Sequence, residues 1–362
     1  MADRMPLLLD VDTGIDDALA LLYASASPEA ELVAVTCIGG NVDARQVAAN
    51  TLAVLELAGR ADVPVYLGSE RPVRKPLATS TETHGPRGLG HAELPAPNRG
   101  LADGFAPDVI VELARSRPGE LLLVTLGPLT NLAIALEREP SLPSLLRGWA
   151  SMGGAFRGAG NTTPTSEWNI HVDPDAAKAC FEAWGAARHD ASTGSPAELP
   201  PLPLPLAMGL EITEQARIRP EDLRHLAVRA GAQPMDADPA GREPIEAVGS
   251  VAANPVLRFV VDALRFYFEF HAKYDGFYGA FIHDPFVVAA ALDRSLVRAE
   301  PVFVDVEAGE NLAHGMTIAD WRRLTGKEPN VAVAVEGDAA TFLERLIDRV
   351  GGLAARRQGV PR

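Results

Sequence analysis

Four aspartates, Asp10, Asp12, Asp16 and Asp17, fall within eight consecutive positions near the N-terminus. Asp10 and Asp12 flank Val11 at the end of a short apolar run, Pro6 to Leu9. The period of two along a strand turns both carboxylates to one side. Asp16 and Asp17 then open a helical run that continues to Ala24. Carboxylates gathered in one loop repel one another unless a cation or a shared proton relieves the charge. A hard divalent cation is the simplest relief, and oxygen ligands favour calcium modestly, because it accepts about six to eight of them in flexible geometry. Helix capping accounts for one or two of the four, since acidic residues commonly sit at helix N-termini. It leaves Asp10 and Asp12 unexplained, because they end an apolar strand where an unpartnered charge is costly.

Asp10-Val11-Asp12-Thr13 also matches the start of haloacid dehalogenase-like phosphatases, magnesium enzymes in which a strand-end Asp is the nucleophile and the second Asp an acid. That chemistry requires a later phosphate-neutralising Lys and a further acidic pair, and no convincing set of these follows. A sugar- or nucleoside-binding protein without turnover is the third alternative.

The elements that must position these carboxylates alternate along the chain. Apolar strand candidates at Pro6 to Leu9, Glu31 to Thr36, Val63 to Leu67, Leu121 to Leu126 and Gly148 to Met152 are interleaved with helical runs at Asp43 to Ala58, Pro107 to Arg115, Thr130 to Glu139 and Pro174 to Trp184. Later come helices at Pro255 to His271, near Asp284 and at Ala339 to Val350, with strands at Pro301 to Val306 and Val331 to Val335. Such alternation predicts an α/β fold, a mainly parallel, doubly wound central sheet with helices on both faces and ligands outside the carboxyl ends of the strands. One domain over 1–350 is expected, with an exposed Pro-rich insertion at 189–205 and a mobile tail at 351–362.

The 362 residues are 47% hydrophobic and 22% charged, which suits a soluble globular chain with a sizeable core. A net charge of −15 and a pI near 5.0 argue against general affinity for nucleic acid or anionic membrane surfaces, and favour small neutral substrates or cations. Cys37 and Cys180 are far apart and form no zinc or redox motif. The N-terminus does not read as a signal peptide and no apolar run is long enough to span a bilayer, so a cytoplasmic location is expected.

Taken together, Asp10-Val11-Asp12-Thr13-Gly14-Ile15-Asp16-Asp17-Ala18 resembles the N-terminal signature of the inosine–uridine-preferring nucleoside hydrolase family. Further segments agree in order: Gly39-Gly40-Asn41, then Leu126-Gly127-Pro128-Leu129-Thr130-Asn131, then Met152-Gly153-Gly154 leading to Asn161 and Glu167-Trp168-Asn169, then Ile282-His283-Asp284-Pro285, and Gly315 to Asp320. A lone DxD or HDP is weak; the ordered set is specific. The resemblance implies hydrolysis of the N-glycosidic bond of ribonucleosides, with a calcium-bound water as nucleophile. It implies that Asp12, Asp17 and Asp284, with the Leu126 carbonyl, ligate Ca2+, and that Asp10 supports them from behind. Asp16, Asn41, Asn161, Glu167 and Asn169 would hold the ribose hydroxyls. Asp12 is the expected general base and His283 the expected proton donor to the base that leaves. The family is commonly a homodimer or homotetramer.

Each residue has a plainer reading. Asn41 and Asn161 follow Gly and suit turns, Glu167 suits a surface charge, and His283 and Asp284 suit a helix start with Pro285 in its first turn. Their order together outweighs these. Thr13 stands where many relatives have Pro. Trp168 suits either stacking on a purine or packing, and His84 and His91 read either as parts of a mobile lid over the base or, more commonly for such residues, as surface loop histidines, with no catalytic role assigned. The choice between purine and pyrimidine is not readable.

Overall fold

The computed structural model describes residues 4–193, 202–232 and 253–357. Its first strand, β1 (Met5–Val11), is buried on both faces from Leu7 onward. A strand covered on both sides can be apolar at every position. Leu7 and Leu9 point into one core with Tyr23 and Val124, while Leu8 points into another with Leu123 and Trp149. The first core takes the helices Ile15–Ala26, Ala44–Leu57, Pro255–Tyr274, Asp284–Leu292 and Ala339–Arg357; the second takes Ala106–Ser116, Thr130–Arg138 and Pro174–Thr193. Helices therefore cover both faces of the sheet, as the alternation predicts.

The other strands of the main sheet are β2 (Ala30–Cys37), β3 (Val65–Leu67), β4 (Leu122–Thr125), β5 (Gly148–Met152) and β6 (Leu206–Met208), joined by two late strands. Two short pieces, β7 (Arg217–Ile218) and β8 (Ala280–Phe281), pair with each other. The late strands are β9 (Val297–Val302) and β12 (Val331–Gly337), with β10 (Val304–Val306) and β11 (Thr317–Ala319) paired outside the sheet. The order is β3-β2-β1-β4-β5-β6-β12-β9, parallel throughout except for β9 at the edge. The chain builds outward from β1 to β3, then restarts at β4 on the other side of β1. The loops after β1 and β4 thus diverge and open a crevice at the carboxyl ends, where open α/β sheets bind ligands.

The structure departs from expectation at several places. The closing helix runs to Arg357 and buries Leu353 and Ala354, so residues 351–357 are helix rather than the mobile tail expected there, and 358–362 lie outside the described residues. The helix from Pro174 continues to Thr193, into the start of the expected insertion, whose residues 194–201 lie outside the described set. The strand expected over Pro301 to Val306 is two strands, β9 and β10. Strand β6, which sits inside the sheet between β5 and β12, was not expected at all. No helix among the described residues is long and apolar enough to cross a membrane.

Candidate active site

The turn after β1 folds back on its own carboxylates. Asp17 Oδ1 accepts from the Asp12 amide at 3.1 Å and Oδ2 from the Gly14 amide at 2.9 Å. The capping reading therefore holds for Asp17, but it does not exhaust the group. Asp17, Asp16 and Asp284 bring carboxylate oxygens within 4.8 Å of one another, all three buried. Asp284 comes from the first residue of the helix Asp284–Leu292. Asp17 interacts electrostatically with both Asp12 and Asp284.

Asp12 adjoins this trio. Its Oδ2 accepts from the Asn41 amide at 2.9 Å, and its Oδ1 is buried without any partner. Gly40 and Gly127 press against the two oxygens, where a side chain would collide. Behind it, Asp10 Oδ1 accepts from Thr36 Oγ1 at 2.7 Å and from Asn131 Nδ2 at 2.8 Å. Burial and mutual repulsion push the whole group upward: Asp10 to about 7, Asp16 to about 8, and Asp12 and Asp284 well above the usual carboxylate range. A buried group of this kind must hold protons or a cation. Oxygen donors of one sign, with a bare Oδ1 among them, fit a hard divalent ion such as calcium.

Beside the cluster lies a cavity of about 590 Å³. Asp16, Asn41, Leu126, Asn161, Glu167, Asn169, His283 and Asp284, all expected site residues, line it. Asn41 Nδ2 donates to Asp17 Oδ2 at 3.2 Å, and its Oδ1 accepts from Ser80 Oγ at 3.1 Å. Asn169 Nδ2 donates to the Leu126 carbonyl at 2.6 Å, so that oxygen already has one amide partner. Glu167 is no surface charge. It is buried and caps the helix Trp168–Val172, accepting from the amides of Asn169, Ile170 and Gly154 at 2.9, 3.1 and 3.0 Å. Asn161 is exposed and holds the Trp168 amide at 3.0 Å. Thr317, in the segment Gly315 to Asp320, grips both backbone groups of Ala155 and so steadies the loop after β5.

The remaining wall is aromatic. Rings of His84 and Tyr267 lie 5.5 Å apart, Tyr267 and His271 4.7 Å, His271 and Phe281 4.8 Å, and Phe281 and His283 6.0 Å. His84 is buried in this wall, with Nδ1 accepting from the Ile15 amide at 3.1 Å, so the surface reading of this residue is wrong. His91 does lie outside, against Phe266 and Glu269. Burial lowers both His84 and His283 to about 3. Tyr267, His271 and Phe281 escaped the sequence reading; the only trace is the spacing Tyr267, His271, Asp275, four apart on one helix face. No lysine or arginine lines the cavity among the described residues, which removes the phosphate ligand that the phosphatase alternative needs.

An acidic cluster at the switch point of a parallel sheet, beside a cavity with an amide-rich and an aromatic wall, suits a divalent cation and a small uncharged ligand in a doubly wound α/β protein. The chain belongs to the inosine-uridine preferring nucleoside hydrolase family, whose model matches residues 7–344. It is 33% identical over 347 residues to the pyrimidine-specific ribonucleoside hydrolase RihA of Escherichia coli, covering 96% of this chain and 98% of that one. Among solved structures it is similar to the purine-preferring ribonucleoside hydrolase from Gardnerella vaginalis, with a TM-score of 0.81, 30% identity and coverage of 97% and 99%. The plant nucleoside hydrolase PpNRh1 matches with a TM-score of 0.80 and 30% identity over 96% of this chain and 99% of that one. The chain is thus a nucleoside hydrolase. The bacterial relatives differ in base preference at similar identity, so neither preference transfers.

Proposed function

We propose that this enzyme cleaves the N-glycosidic bond of ribonucleosides to free base and ribose, with calcium at the aspartate cluster. The supporting observation is the unpartnered, buried Oδ1 of Asp12 beside the trio Asp16, Asp17 and Asp284. Asp12, Asp17, Asp284 and the Leu126 carbonyl would hold the ion, with Asp16 close enough to share in it. Calcium, when bound, lowers the pKa of a water and anchors ribose hydroxyls.

The chain's own residues do the rest. Asp12 takes the proton of the attacking water through Oδ1, held in place by the Asn41 amide on Oδ2. Asn41, Asn161, Glu167, Asn169 and Asp16 face the sugar, and their fixed oxygens favour the positive charge that grows on it as the bond to the base breaks. Burial raises the Glu167 carboxyl above the ordinary range, and the backbone amides of Asn169, Gly154 and Ile170 oppose that shift and favour its charged form. His283, which the sequence marks as the proton donor to the leaving base, stands in the aromatic wall with Nδ1 2.7 Å from Thr213 Oγ1.

The test is release of reducing sugar from inosine, uridine, adenosine and cytidine, beside release of phosphate from a phosphate ester, with calcium or magnesium supplied. Free ribose from at least one nucleoside is expected. Phosphate without ribose, or neither product, would overturn the proposal.

A further inference from the structure

The turn from Asp12 to Asp17 is tied in part through the carboxylates that an ion would claim. The Asp12 and Gly14 amides rest on Asp17, and the Asn41 amide rests on Asp12. Thr13 is held differently. It is fully buried, and its Oγ1 lies 2.6 Å from Thr51 Oγ1 on the helix Ala44–Leu57. Its carbonyl accepts from Asn50 Nδ2, on the same helix, at 3.1 Å. Neither contact uses a carboxylate of the cluster.

Thr51 Oγ1 donates to the Val47 carbonyl at 2.9 Å, and a carbonyl can only accept, so the single hydroxyl hydrogen of Thr51 is already engaged. The 2.6 Å contact is therefore the Thr13 hydroxyl donating to Thr51. Cys37 Sγ, at the end of β2, donates to the same oxygen at 3.4 Å. Thr51 thus gives one hydrogen bond and receives two, the full capacity of a hydroxyl. Asn50 uses both of its amide hydrogens, because Nδ2 also donates to the Arg87 carbonyl at 2.8 Å. Arg87 belongs to the loop that follows His84, whose Nδ1 takes the Ile15 amide. One helix therefore holds the turn from two sides, directly at Thr13 and, through the loop around His84, at Ile15.

Carboxylates packed in one place push one another apart, so the backbone that carries them needs anchors that bear no charge. Thr13 lacks the ring with which proline, the residue of many relatives here, stiffens a turn. We infer that Thr13, bonded to Thr51, is a positioning residue for the ion. The hydroxyl pair holds the backbone between Asp12 and Asp16, so that their carboxylates meet those of Asp17 and Asp284 around one point. The inference rests on the calcium reading above. It gives two buried hydroxyls the part of outer partners that orient metal ligands, whose loss commonly weakens metal affinity by about 10- to 100-fold.

The experiment titrates calcium calorimetrically into chelated wild type, Thr13→Val, Thr13→Ser and Thr51→Val, and records a melting curve of each chelated protein. Valine keeps the branched shape and removes the hydroxyl, whereas serine keeps the hydroxyl. Thr13→Val and Thr51→Val should each bind calcium about 10- to 100-fold more weakly than wild type, and Thr13→Ser should stay within a few-fold of it. A pair of hydroxyls that only stabilised the fold would lower the melting temperature and leave calcium affinity alone. Unchanged affinity in either folded valine variant, or an equal loss in Thr13→Ser and Thr13→Val, would overturn the inference. Thr51 lies outside the turn, so Thr51→Val decides the matter if Thr13→Val does not fold. A wild type that binds no calcium overturns the calcium reading itself, whereas a wild type and a Thr51→Val that bind it equally well overturn only the part given to the hydroxyls.

Discussion

Gly40 stands so close to Asp12 that a Cβ on it would lie 2.2 Å from Asp12 Oδ2. Gly40→Ala must therefore displace the carboxylate or the loop after β2. Misplacement of a reacting group by about 1 Å costs on the order of 10²-fold in rate. Steady-state kinetics on the preferred nucleoside should show at least that loss in a protein with a wild-type circular dichroism spectrum. Near-normal kcat would mean that the position of Asp12 is not critical.

Asp12→Ala removes the proposed base and the bare Oδ1 and leaves the Asn41 amide, which now donates to Oδ2, to solvent. Turnover should fall by several orders of magnitude in a folded protein. Ordinary turnover by a verified, folded Asp12→Ala enzyme would overturn the assignment of Asp12 as base.

Asn131 ties three segments together: its Nδ2 donates to Asp10 Oδ1 at 2.8 Å and to the Cys37 carbonyl at 3.2 Å, and its Oδ1 accepts from the Ser69 amide at 2.9 Å. Asn131→Ala leaves buried polar groups unpaired, each costing about 1–3 kcal/mol. Urea denaturation should show a loss of about that size or more, with a smaller effect on kcat than Asp12→Ala. An unchanged midpoint would contradict the bonding described.

Much of this arrangement is legible in the sequence, for physical reasons that differ from residue to residue. Four aspartates beside an apolar strand demand a partner wherever they fold, and both the strand and the cluster stand where expected. Strands β1, β2 and β4 are visible because each holds an apolar run of about four residues shortly before Asp or Gly, and β5 because Trp149-Ala150-Ser151-Met152 leads into Gly153-Gly154. Strand β6 has only three residues, Leu206 to Met208, between Pro205 and Gly209, and its place inside the sheet depends on neighbours that are distant in the chain. Glu167 gives no sign of burial, because its burial follows from the turn it caps. His271 sits among core positions of a long helix, where a single histidine differs from its neighbours only once Asp275 and the cavity are in view.

The raised carboxyls have a consequence for stability. Asp10 and Asp16 hold their protons to about 7 and about 8 in the fold, against an ordinary 3.8. Groups raised in this way add stability that is complete below the ordinary value and is lost as pH climbs through the folded value. The chelated protein should therefore melt at lower temperature at about pH 8 than at about pH 5, while calcium, which binds the ionised forms, should raise the melting temperature most at the higher pH. Melting curves with EDTA and with calcium at both pH values check this. A calcium effect that is equal at the two would count against carboxylates as its ligands.

The proposed chemistry depends on the ion. Nucleoside turnover should vanish after exhaustive chelation and removal of the chelator, and return when calcium alone is added back, saturably and with the protein folded throughout. Undiminished turnover in rigorously metal-free buffer would contradict it.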